Sequence, residues 1–307
     1  MTKVILWGSY AEYGMFCKHL QMEVLKGNMQ IEAVVLNGDH LMSRLDGIEV
    51  IKVEELLLRE YDYLIDMNQA GRGVIVRLLE LLQVPRSKVI PVNIFKHPYF
   101  DLQRWIAVKE SKVSIISNSC WGGITYHSLG LEFRSPFINL FLDDDDYLRL
   151  LENFKYYMEQ PLSFIEEKYE INLKRNYPVI GIDDVTLFFN HYTNFESAVG
   201  IWEKRKQRLN YDNLLVEMKI ESRGELERFL ALPFEHKVGF STVPCDEKDI
   251  LYFPIVENGH LQNKYAGVFG YFLNEIAEIE SRDGKPYDIL KLLNHEEDYV
   301  RAVYGRQ

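Results

Sequence analysis

The sequence has little of what disulfide-bonded, zinc-stapled or membrane-spanning proteins require. Its three cysteines, Cys17, Cys120 and Cys245, are far apart and form no C-x-x-C pair, so neither a disulfide framework nor a structural zinc site is expected. The first apolar run ends at Gly8, which is too early for a secretory signal, and no stretch reaches membrane-spanning length. We therefore expect a cytoplasmic protein without membrane insertion.

Positively charged residues are also fewer than negatively charged ones. The chain has 35 Lys and Arg residues against 46 Asp and Glu residues, a formal net charge of −11. Such a charge repels nucleic-acid backbones and anionic lipids, so nucleic-acid binding is not expected. The absence of H-E-x-x-H, Walker and G-x-S-x-G motifs disfavours zinc hydrolases, P-loop proteins and serine esterases. The expected partner is a small-molecule substrate, with sugar nucleotides among the candidates, and the cofactor and oligomeric state stay open.

Apolar residues make up 47% of the 307 residues, enough for two cores. Short apolar runs alternate with amphipathic stretches, a pattern that predicts an α/β fold. We predict two domains: a Rossmann-like, doubly wound parallel sheet in residues 1–110, and a larger, irregular α/β domain in residues 111–307.

Periodicity and turn residues also predict the individual elements. The predicted strands are residues 4–7, 31–36, 48–50, 61–65, 89–92, 113–117, 137–142, 184–189, 213–219, 237–241 and 250–255. The predicted helices are residues 11–26, 53–59, 74–82, 99–109, 147–158, 197–208, 224–230 and 289–303.

The first strand-to-helix turn is where a dinucleotide fold binds pyrophosphate through a G-x-G-x-x-G motif. Gly8, Ser9 and Gly14 are therefore the candidate cofactor-binding residues. Tyr10 replaces the second glycine of the motif, and Glu12 places negative charge where a phosphate would lie. The fingerprint is degenerate, and a purely structural role for this domain is the alternative.

A glycine pair follows the predicted strand at residues 113–117. Glycine after a strand allows the backbone to approach a ligand closely and to open a helix over it. Asn118, Trp121, Gly122 and Gly123 are therefore candidate substrate-binding residues, with Trp121 offering a stacking surface.

Cys120 is the candidate nucleophile of this segment. A predicted helix N-terminus beside it would favour the thiolate. His127 lies about two helical turns further on, and His191 comes from the end of another predicted strand, so both are candidate catalytic partners. An inert, buried cysteine is the alternative.

A basic cluster begins at Trp202 in an otherwise acidic chain. Trp202, Arg205 and Arg208 are spaced by three residues, so they are predicted to lie along one side of a helix, where two guanidinium groups would bind a phosphate or carboxylate. Asp212 and Asn213 follow at a predicted turn and complete the candidate substrate-binding set. A solvated helix face and ordinary turn chemistry are the alternatives.

Residues 143–146 are four consecutive aspartates after a predicted strand. A strand-end D-x-D binds Mg²⁺ or Mn²⁺ in metal-dependent glycosyltransferases. Acidic residues are also favoured in the first turn of a helix, and a helix is predicted to begin at about residue 147. Helix capping is the preferred interpretation, and no metal ligand is assigned.

Several short motifs of the second half occur in an order known from another family. They are residues 114–123, 129–131, 135–140, 177–179, 191–192 and 202–213. Together they resemble a bacterial domain family whose members are often labelled exopolysaccharide or capsule biosynthesis proteins. The resemblance covers about residues 111–305 and implies a role near cell-surface polysaccharide assembly, without a defined mechanism. In the order of its elements alone, the first domain is similar to the small N-terminal domain of bacterial sugar acyltransferases.

These observations lead to two functional hypotheses. The first is a transferase that acts on an activated sugar or acyl donor, with Arg205 and Arg208 binding its anionic part and Cys120 or His191 as the reactive side chain. The second is a non-catalytic protein that binds a sugar nucleotide or supports an assembly complex. The first requires the turn after residue 117 and the basic helix to face one cavity.

Overall fold

The computed structural model describes residues 1–38, 42–69, 77, 79–97, 99–171, 174–252 and 287–299. The chain divides into two compact units, Met1–Ala107 and Val108–Gln307. Each is a mixed α/β structure that contains a parallel sheet.

The first unit is built around a six-stranded sheet in the order β3-β4-β2-β1-β5-β6. All pairs are parallel except β3 with β4, which form a short antiparallel pair. Helix α1 (Tyr10–Leu25) connects β1 to β2, and short 3-10 helices follow β4 and β6. The strands are β1 (Thr2–Gly8), β2 (Met29–Leu36), β3 (Arg44–Leu45), β4 (Ile48–Ile51), β5 (Tyr63–Asp66) and β6 (Val89–Pro91).

Most predicted elements of this unit are confirmed. The five predicted strands and the first helix are present within a few residues of their expected bounds. The predicted helix at residues 53–59 is a 3-10 helix, Val53–Leu58, and the one at residues 99–109 is the α-helix α2 (Leu102–Ser111). The predicted helix at residues 74–82 lies largely outside the described residues.

The second unit contains two sheets. Four parallel strands form the first, in the order β13-β12-β11-β7: β7 (Ser114–Ser117), β11 (Leu214–Ile220), β12 (Lys237–Ser241) and β13 (Ile250–Tyr252). Three antiparallel strands form the second, in the order β10-β9-β8: β8 (Leu162–Glu170), β9 (Arg175–Ile182) and β10 (Val185–Phe188). The helices are α3 (Trp121–Ser128), α4 (Asp144–Glu152), α5 (Phe154–Glu159), α6 (Phe195–Lys206), α7 (Arg223–Ala231) and α8 (Ile289–Leu293).

The prediction of a strand at residues 137–142 is wrong, because the structure describes these residues and has no strand there. Its only pairing among the described residues is an isolated antiparallel bridge between Phe141 and Phe188. Two local features interrupt an extended conformation: the Ser135 hydroxyl accepts a hydrogen bond from Phe137 N, and Asn139 has a φ of 64°, in the left-handed region. The apolar residues of this segment nevertheless enter the core, where Phe137 packs edge-on against Trp202.

Three further differences from the predictions occur in this unit. The single helix expected at residues 147–158 is broken at Asn153 into α4 and α5. The β8–β9 hairpin was not predicted, because β8 is exposed along most of its length and lacks the apolar run of a buried strand. The helix predicted at residues 289–303 ends early, since α8 stops at Leu293, and residues 300–303 of that prediction lie outside the described residues.

Lys237 shows how the second unit satisfies a buried charge. Its side chain is 9% exposed at the start of β12. The ammonium group donates hydrogen bonds to the carbonyl oxygens of Phe229, Leu230 and Leu232 at 3.2, 2.7 and 2.8 Å. These carbonyls belong to the C-terminal end of α7, where a helix leaves its last acceptors unpaired and where positive charge is favoured. Lys237 therefore anchors α7 to the parallel sheet.

No helix among the described residues is long and apolar enough to cross a membrane.

Candidate functional site

The clearest concentration of buried polar groups lies where the carboxyl end of β7 pairs with the middle of β11. The two strands are parallel, and Glu217 of β11 lies directly opposite Ser117 of β7. Asn118 follows β7, and Asp144 begins α4. We refer to Ser117, Asn118, Asp144 and Glu217 as the carboxyl-edge cluster.

Glu217 is completely buried within the cluster. The Ser117 hydroxyl donates a hydrogen bond of 2.6 Å to its Oε2 atom. Burial raises the pKa of Glu217 to about 8, against the opposing effect of the Ser117 hydrogen bond and with a smaller contribution from the Asp144 charge. Its Oε1 atom is buried and has no hydrogen-bond partner among the described residues.

Asn118, which follows Ser117 in the chain, binds Asp144. Its Nδ2 atom donates a 2.6 Å hydrogen bond to Asp144 Oδ1, while its Oδ1 atom is buried without a partner within the described structure. Asp144 is only half-buried. Desolvation, with a contribution from the Glu225 charge, raises the pKa of Asp144 despite the Asn118 hydrogen bond. The cluster thus contains a fully buried carboxyl group, Glu217, and a partly exposed one, Asp144.

The glycine pair after β7 has a packing role. A Cβ atom on Gly122 would lie 3.2 Å from both Ile115 Cγ2 and Ser117 Cβ, and one on Gly123 would lie 3.4 Å from Ile138 Cγ2. Gly122 therefore lets α3 pack closely against β7. The sequence predicted that a ligand would approach the glycine backbone closely, but in the structure strand β7 occupies this position beside Gly122.

Trp121 is fully buried beside these glycines. Its ring packs edge-on against Phe240, and its indole N–H donates a 3.2 Å hydrogen bond to the Tyr287 hydroxyl. The indole faces are therefore unavailable as the stacking surface expected from the sequence.

Cys120 lies immediately before α3, at the helix N-terminus that the sequence predicted. The residue is exposed at the surface, but desolvation by surrounding atoms raises the pKa of the thiol, opposite to the shift expected from the helix dipole. Cys120 is thus accessible but mostly protonated at neutral pH. His127 is exposed in the last turn of the same helix.

The basic cluster supports the core. Trp202 is 1% exposed and packs against Phe137 and Phe189, so it cannot stack on a ligand. Arg205 donates hydrogen bonds to the Ile138 carbonyl at 3.0 Å and to the Tyr192 hydroxyl at 2.9 Å.

Arg208 lies beyond the end of α6, which stops at Lys206, so it does not continue the predicted helical row. It donates a 3.1 Å hydrogen bond to the Phe133 carbonyl and forms a 3.5 Å ion pair with Glu132. Arg205 and Arg208 therefore hold the irregular segment that follows α3, which occupies much of their donor capacity.

Asp212 and Asn213 lie at the opposite end of the sheet from the carboxyl-edge cluster, since they precede β11 and the register places its first residue beside Ser114. Asn213 donates a 3.1 Å hydrogen bond to the Ser111 carbonyl, and its Oδ1 atom contacts His295 Nε2 at 2.6 Å. Asp212 is exposed. These two residues fix the turn into β11 and do not join Asn118.

His191 is exposed in the turn after β10. Desolvation, followed by the positive charge of Arg175, lowers the pKa of His191. The imidazole is therefore neutral at physiological pH. The structure gives it no contact with Cys120.

Three of the four consecutive aspartates have separate partners. Asp144 binds Asn118, Asp145 forms a 2.9 Å ion pair with Arg228, and Asp146 binds both Arg149 and the N–H of Thr186. The Asp143 side chain makes no capping hydrogen bond, although α4 begins directly after it. No group of three His, Cys, Asp or Glu side chains within the described ranges is arranged to hold a metal ion.

The degenerate turn of the first unit is occupied by its own side chains. Ser9 caps α1, and Glu12 accepts hydrogen bonds from Ser9 N and Gln69 N at 2.8 and 2.6 Å. A Cβ atom on Gly8 would lie 2.8 Å from Met67 Cβ, so this glycine permits close packing against the chain after β5. Gly14 lies inside α1 with open space around it.

A cleft of about 440 Å³ in the first unit lies elsewhere, near the amino ends of β1 and β5. Lys3, Tyr61 and Lys88 are among its lining residues. Because Gly8 and Ser9 follow the carboxyl end of β1, this cleft is distinct from the predicted cofactor turn.

Comparison with known families defines the relationship of the whole chain. A family described as a domain of unknown function (DUF1919) matches residues 92–273, more than half of the chain. The chain belongs to the DUF1919 family. Residues 1–90 match a second family, described as C2185-like, N-terminal. An uncharacterized protein of Haemophilus influenzae is 30% identical over 190 residues, which cover 60% of this chain and 84% of that protein.

The DUF1919 match contains all four residues of the carboxyl-edge cluster. Asn118 was identified from the sequence and Asp144 was noted in its aspartate run, but Ser117 and Glu217 were missed as site residues. The available signal was Glu217 itself, a carboxylate within the otherwise largely apolar strand Leu214–Ile220. A buried strand carries an acidic residue only at a cost, which makes such a position a candidate for function.

Proposed function

We propose that this DUF1919 protein is a transferase that acts on an activated sugar or acyl donor in the assembly of bacterial cell-surface polysaccharide. Open α/β sheets bind ligands outside the carboxyl ends of their strands, and the carboxyl-edge cluster lies at the carboxyl end of β7, beside the middle of β11. One observation carries the proposal: Glu217 Oε1 and Asn118 Oδ1, beside half-buried Asp144, are both buried and have no hydrogen-bond partner among the described residues. Buried polar atoms are normally paired, so two such atoms together favour a ligand-binding site.

The chemistry of the cluster favours a sugar over an acyl group. Asn118 and Asp144 offer amide and carboxylate oxygens that accept hydrogen bonds from sugar hydroxyls. Ser117 orients Glu217 through the 2.6 Å hydrogen bond. The site is thus centred on carboxylates, whereas the sequence suggested a thiol and two arginines.

In our proposal the first unit has a structural role and does not bind the nucleotide. The strand order β4-β2-β1-β5-β6 matches the central part of a Rossmann-like, doubly wound sheet. However, the Glu12 carboxylate lies at the start of α1, where such a fold would bind phosphate. A negative charge at that position disfavours a nucleotide.

A thermal-shift screen of sugar nucleotides and coenzyme A tests the proposal. A specific ligand at 100 times its Kd stabilises a protein by about 2.7 kcal/mol, which raises Tm by several degrees. We expect a sugar nucleotide to produce this shift in the wild type and in Asp212→Asn, whose exposed carboxylate lies at the opposite end of the sheet. The shift is expected to disappear in Asn118→Ala and Asp144→Asn.

Circular dichroism of each variant shows whether it is folded. The proposal fails if no activated sugar or acyl donor shifts the wild-type Tm, or if Asp212→Asn loses the shift as completely as Asn118→Ala.

The second candidate is a non-catalytic protein that binds a sugar nucleotide or supports an assembly complex. The raised pKa of Cys120 favours it, because the one thiol near the cluster is not activated. A radiolabelled donor discriminates between the two functions. Saturable donor binding without release of a transferred or hydrolysed product, in the presence of candidate acceptors, would favour the non-catalytic role.

A further inference from the structure

We propose that the carboxyl-edge cluster binds a divalent cation, Mg²⁺ or Mn²⁺, through the Asp144 and Glu217 carboxylates and the Asn118 amide oxygen. The existence of this site is independent of the proposed transferase function. Its role, which is to hold the diphosphate of an activated sugar, rests on that function.

The ligand set has the chemistry that these cations select. Mg²⁺ and Mn²⁺ prefer carboxylate, carbonyl and water oxygens, and Mg²⁺ is usually held by one or two carboxylates while its other positions bind water or substrate phosphate. The Asp144 carboxylate, the Asn118 amide oxygen and the Glu217 carboxyl group, which would release its proton when the cation binds, fit this arrangement. Because the described residues contain no group of three His, Cys, Asp or Glu side chains that could hold a metal ion, the proposed site depends on an asparagine as its third ligand.

Two unpartnered oxygen atoms point to a ligand beyond the carboxylates themselves. Asn118 is 6% exposed and Glu217 is 0% exposed, yet Asn118 Oδ1 and Glu217 Oε1 have no hydrogen-bond partner among the described residues. An unpaired buried acceptor costs about 1–3 kcal/mol. One bound cation would satisfy both atoms.

Hydrogen bonding and strand register place the three side chains in the same part of the β7–β11 pair. Asn118 Nδ2 lies 2.6 Å from Asp144 Oδ1, and the two terminal atoms of an amide are about 2.3 Å apart, so Asn118 Oδ1 is also close to the Asp144 carboxylate. Glu217 lies opposite Ser117, the residue before Asn118, and neighbouring strands are about 4.8 Å apart. The three side chains therefore surround the same end of the β7–β11 pair.

Ser117 acts as a positioning residue in this arrangement. Its hydroxyl donates to Glu217 Oε2 and leaves Oε1 available. Hydrogen bonds of this kind orient carboxylate ligands in metal sites, and their loss typically weakens metal binding by 10- to 100-fold.

The surrounding charges also favour a cation. Glu221 and Glu225 lie within electrostatic reach of Asp144 and add negative charge. The nearby Lys219 forms an ion pair with Glu221. In a chain with a net charge of −11, a bridging cation would let this edge accept an anionic diphosphate.

Helix capping is the competing explanation for Asp144, since the residue lies in the first turn of α4. Asp145 provides a matched control in the same turn. Its carboxylate is 85% exposed and pairs with Arg228, away from Asn118. Capping predicts that substitutions of Asp144 and Asp145 affect only stability, whereas the metal site predicts that Asp144 alone affects cation binding.

The test is titration of the chelator-treated full chain with Mn²⁺, in which electron paramagnetic resonance measures free Mn²⁺. We expect one saturable site for which Mg²⁺ competes. Asp144→Asn, Glu217→Gln and Asn118→Ala should each weaken Mn²⁺ binding at least tenfold, while Asp145→Asn should leave it unchanged. Three separate variants keep the test informative if one of them does not fold.

Absence of a saturable site in the wild type would overturn the inference, as would equal affinities for Asp144→Asn and Asp145→Asn. No sugar nucleotide is present in this titration, so its result is separate from the proposed function. If Mn²⁺ binds but no activated donor binds with or without it, the transferase proposal fails and the cation site stands. If a donor binds equally well in chelator and Mn²⁺ does not bind, the cation site fails and the transferase proposal stands.

Discussion

The Glu12 carboxylate accepts a hydrogen bond from the backbone N–H of Gln69, with 2.6 Å between Oε1 and N. Its other oxygen accepts hydrogen bonds from Ser9 N at 2.8 Å and Ser9 Oγ at 2.9 Å. Desolvation opposes ionisation, but the hydrogen bonds from Ser9 and Gln69 prevail and lower the pKa of Glu12. One ionised side chain therefore joins the turn after β1 to the chain after β5.

Glu12→Gln should destabilise the protein by about 1 kcal/mol at neutral pH, allowing for the partial exposure of the side chain. A carboxyl group with a lowered folded pKa contributes stability above its unfolded pKa and loses this contribution as pH falls through its folded pKa. The difference between wild type and variant should therefore shrink in acid. Urea denaturation across this pH range measures it, with exposed Glu54→Gln as control. Equal effects of the two substitutions would contradict the assigned role.

NAD and NADP should not bind the turn that contains Gly8, Ser9 and Gly14. The Glu12 carboxylate accepts a hydrogen bond from Ser9 N, and the Ser9 hydroxyl accepts one from Glu12 N, so backbone N–H groups that a pyrophosphate would need at the start of α1 already have partners. We expect no change in Tm with either cofactor at millimolar concentration. A saturable rise in Tm would show that Glu12 moves aside and that the first unit binds a nucleotide.

Arg205→Lys should reduce stability without reducing ligand affinity. The guanidinium group binds the Ile138 carbonyl and the Tyr192 hydroxyl and lies over the Phe133 ring, a combination that lysine cannot reproduce. We expect a loss of about 1–3 kcal/mol in the free energy of unfolding. Lys204→Ala, an exposed change on the same helix, is the control. A variant of unchanged Tm that binds sugar nucleotide more weakly would instead support the anion clamp suggested by the sequence.

Cys120 should react slowly with alkylating agents at neutral pH. The residue is accessible, but desolvation raises the pKa of its thiol, and only the thiolate reacts. The rate should rise with pH beyond the range of an ordinary thiol, as measured against free cysteine. Cys120→Ser should retain donor binding and any transfer activity. Fast alkylation together with an inactive serine variant would restore the thiol mechanism.

The sequence predicts the parallel strands well because each is a short apolar run bounded by turn residues. The strand at residues 237–241 has the predicted bounds, and the helix beginning at Trp121 follows from the glycine pair after β7. Prediction fails where tertiary contacts decide the structure. Residues 137–142 are as apolar as a strand, but Asn139 adopts a left-handed conformation, and Arg205 binds the carbonyl of Ile138.

The candidate site is less visible in the sequence for a related reason. Arg205 and Trp202 have side chains that are common in binding sites. In the structure Arg205 binds a carbonyl group of the segment after α3, and Trp202 packs in the aromatic core. In the sequence Glu217 is a single acidic residue within a predicted strand. Its position opposite Ser117 follows only from the parallel pairing of β7 and β11. The residues that share one face of a helix can be predicted from their spacing in the sequence. The residues of a cluster built from three elements cannot, because their proximity depends on the strand order of the sheet.

His295 provides a pH-dependent contact at the amino end of the second parallel sheet. Its ring stacks on His236, with centroids 3.5 Å apart and planes at 7°, and its Nε2 atom lies 2.6 Å from Asn213 Oδ1. Desolvation, and then the proximity of His236, lower the pKa of His295 to about 4. The Glu235 carboxylate lies 3.9 Å from His236 Nε2. Burial therefore keeps the His295 imidazole neutral in the folded protein.

Acidification should weaken this contact within a defined pH window. The unfolded chain takes up a proton on His295 at its ordinary pKa of about 6.5, whereas the folded chain does so only near pH 4, so the free energy of unfolding falls as pH drops between these values. Allowing for partial exposure, we expect a loss of about 1–2 kcal/mol. His295→Gln should lack this part of the pH dependence, while exposed His127→Gln should keep it. Denaturation curves at several pH values measure both, and identical slopes for wild type and His295→Gln would show that the stacked pair does not control acid stability.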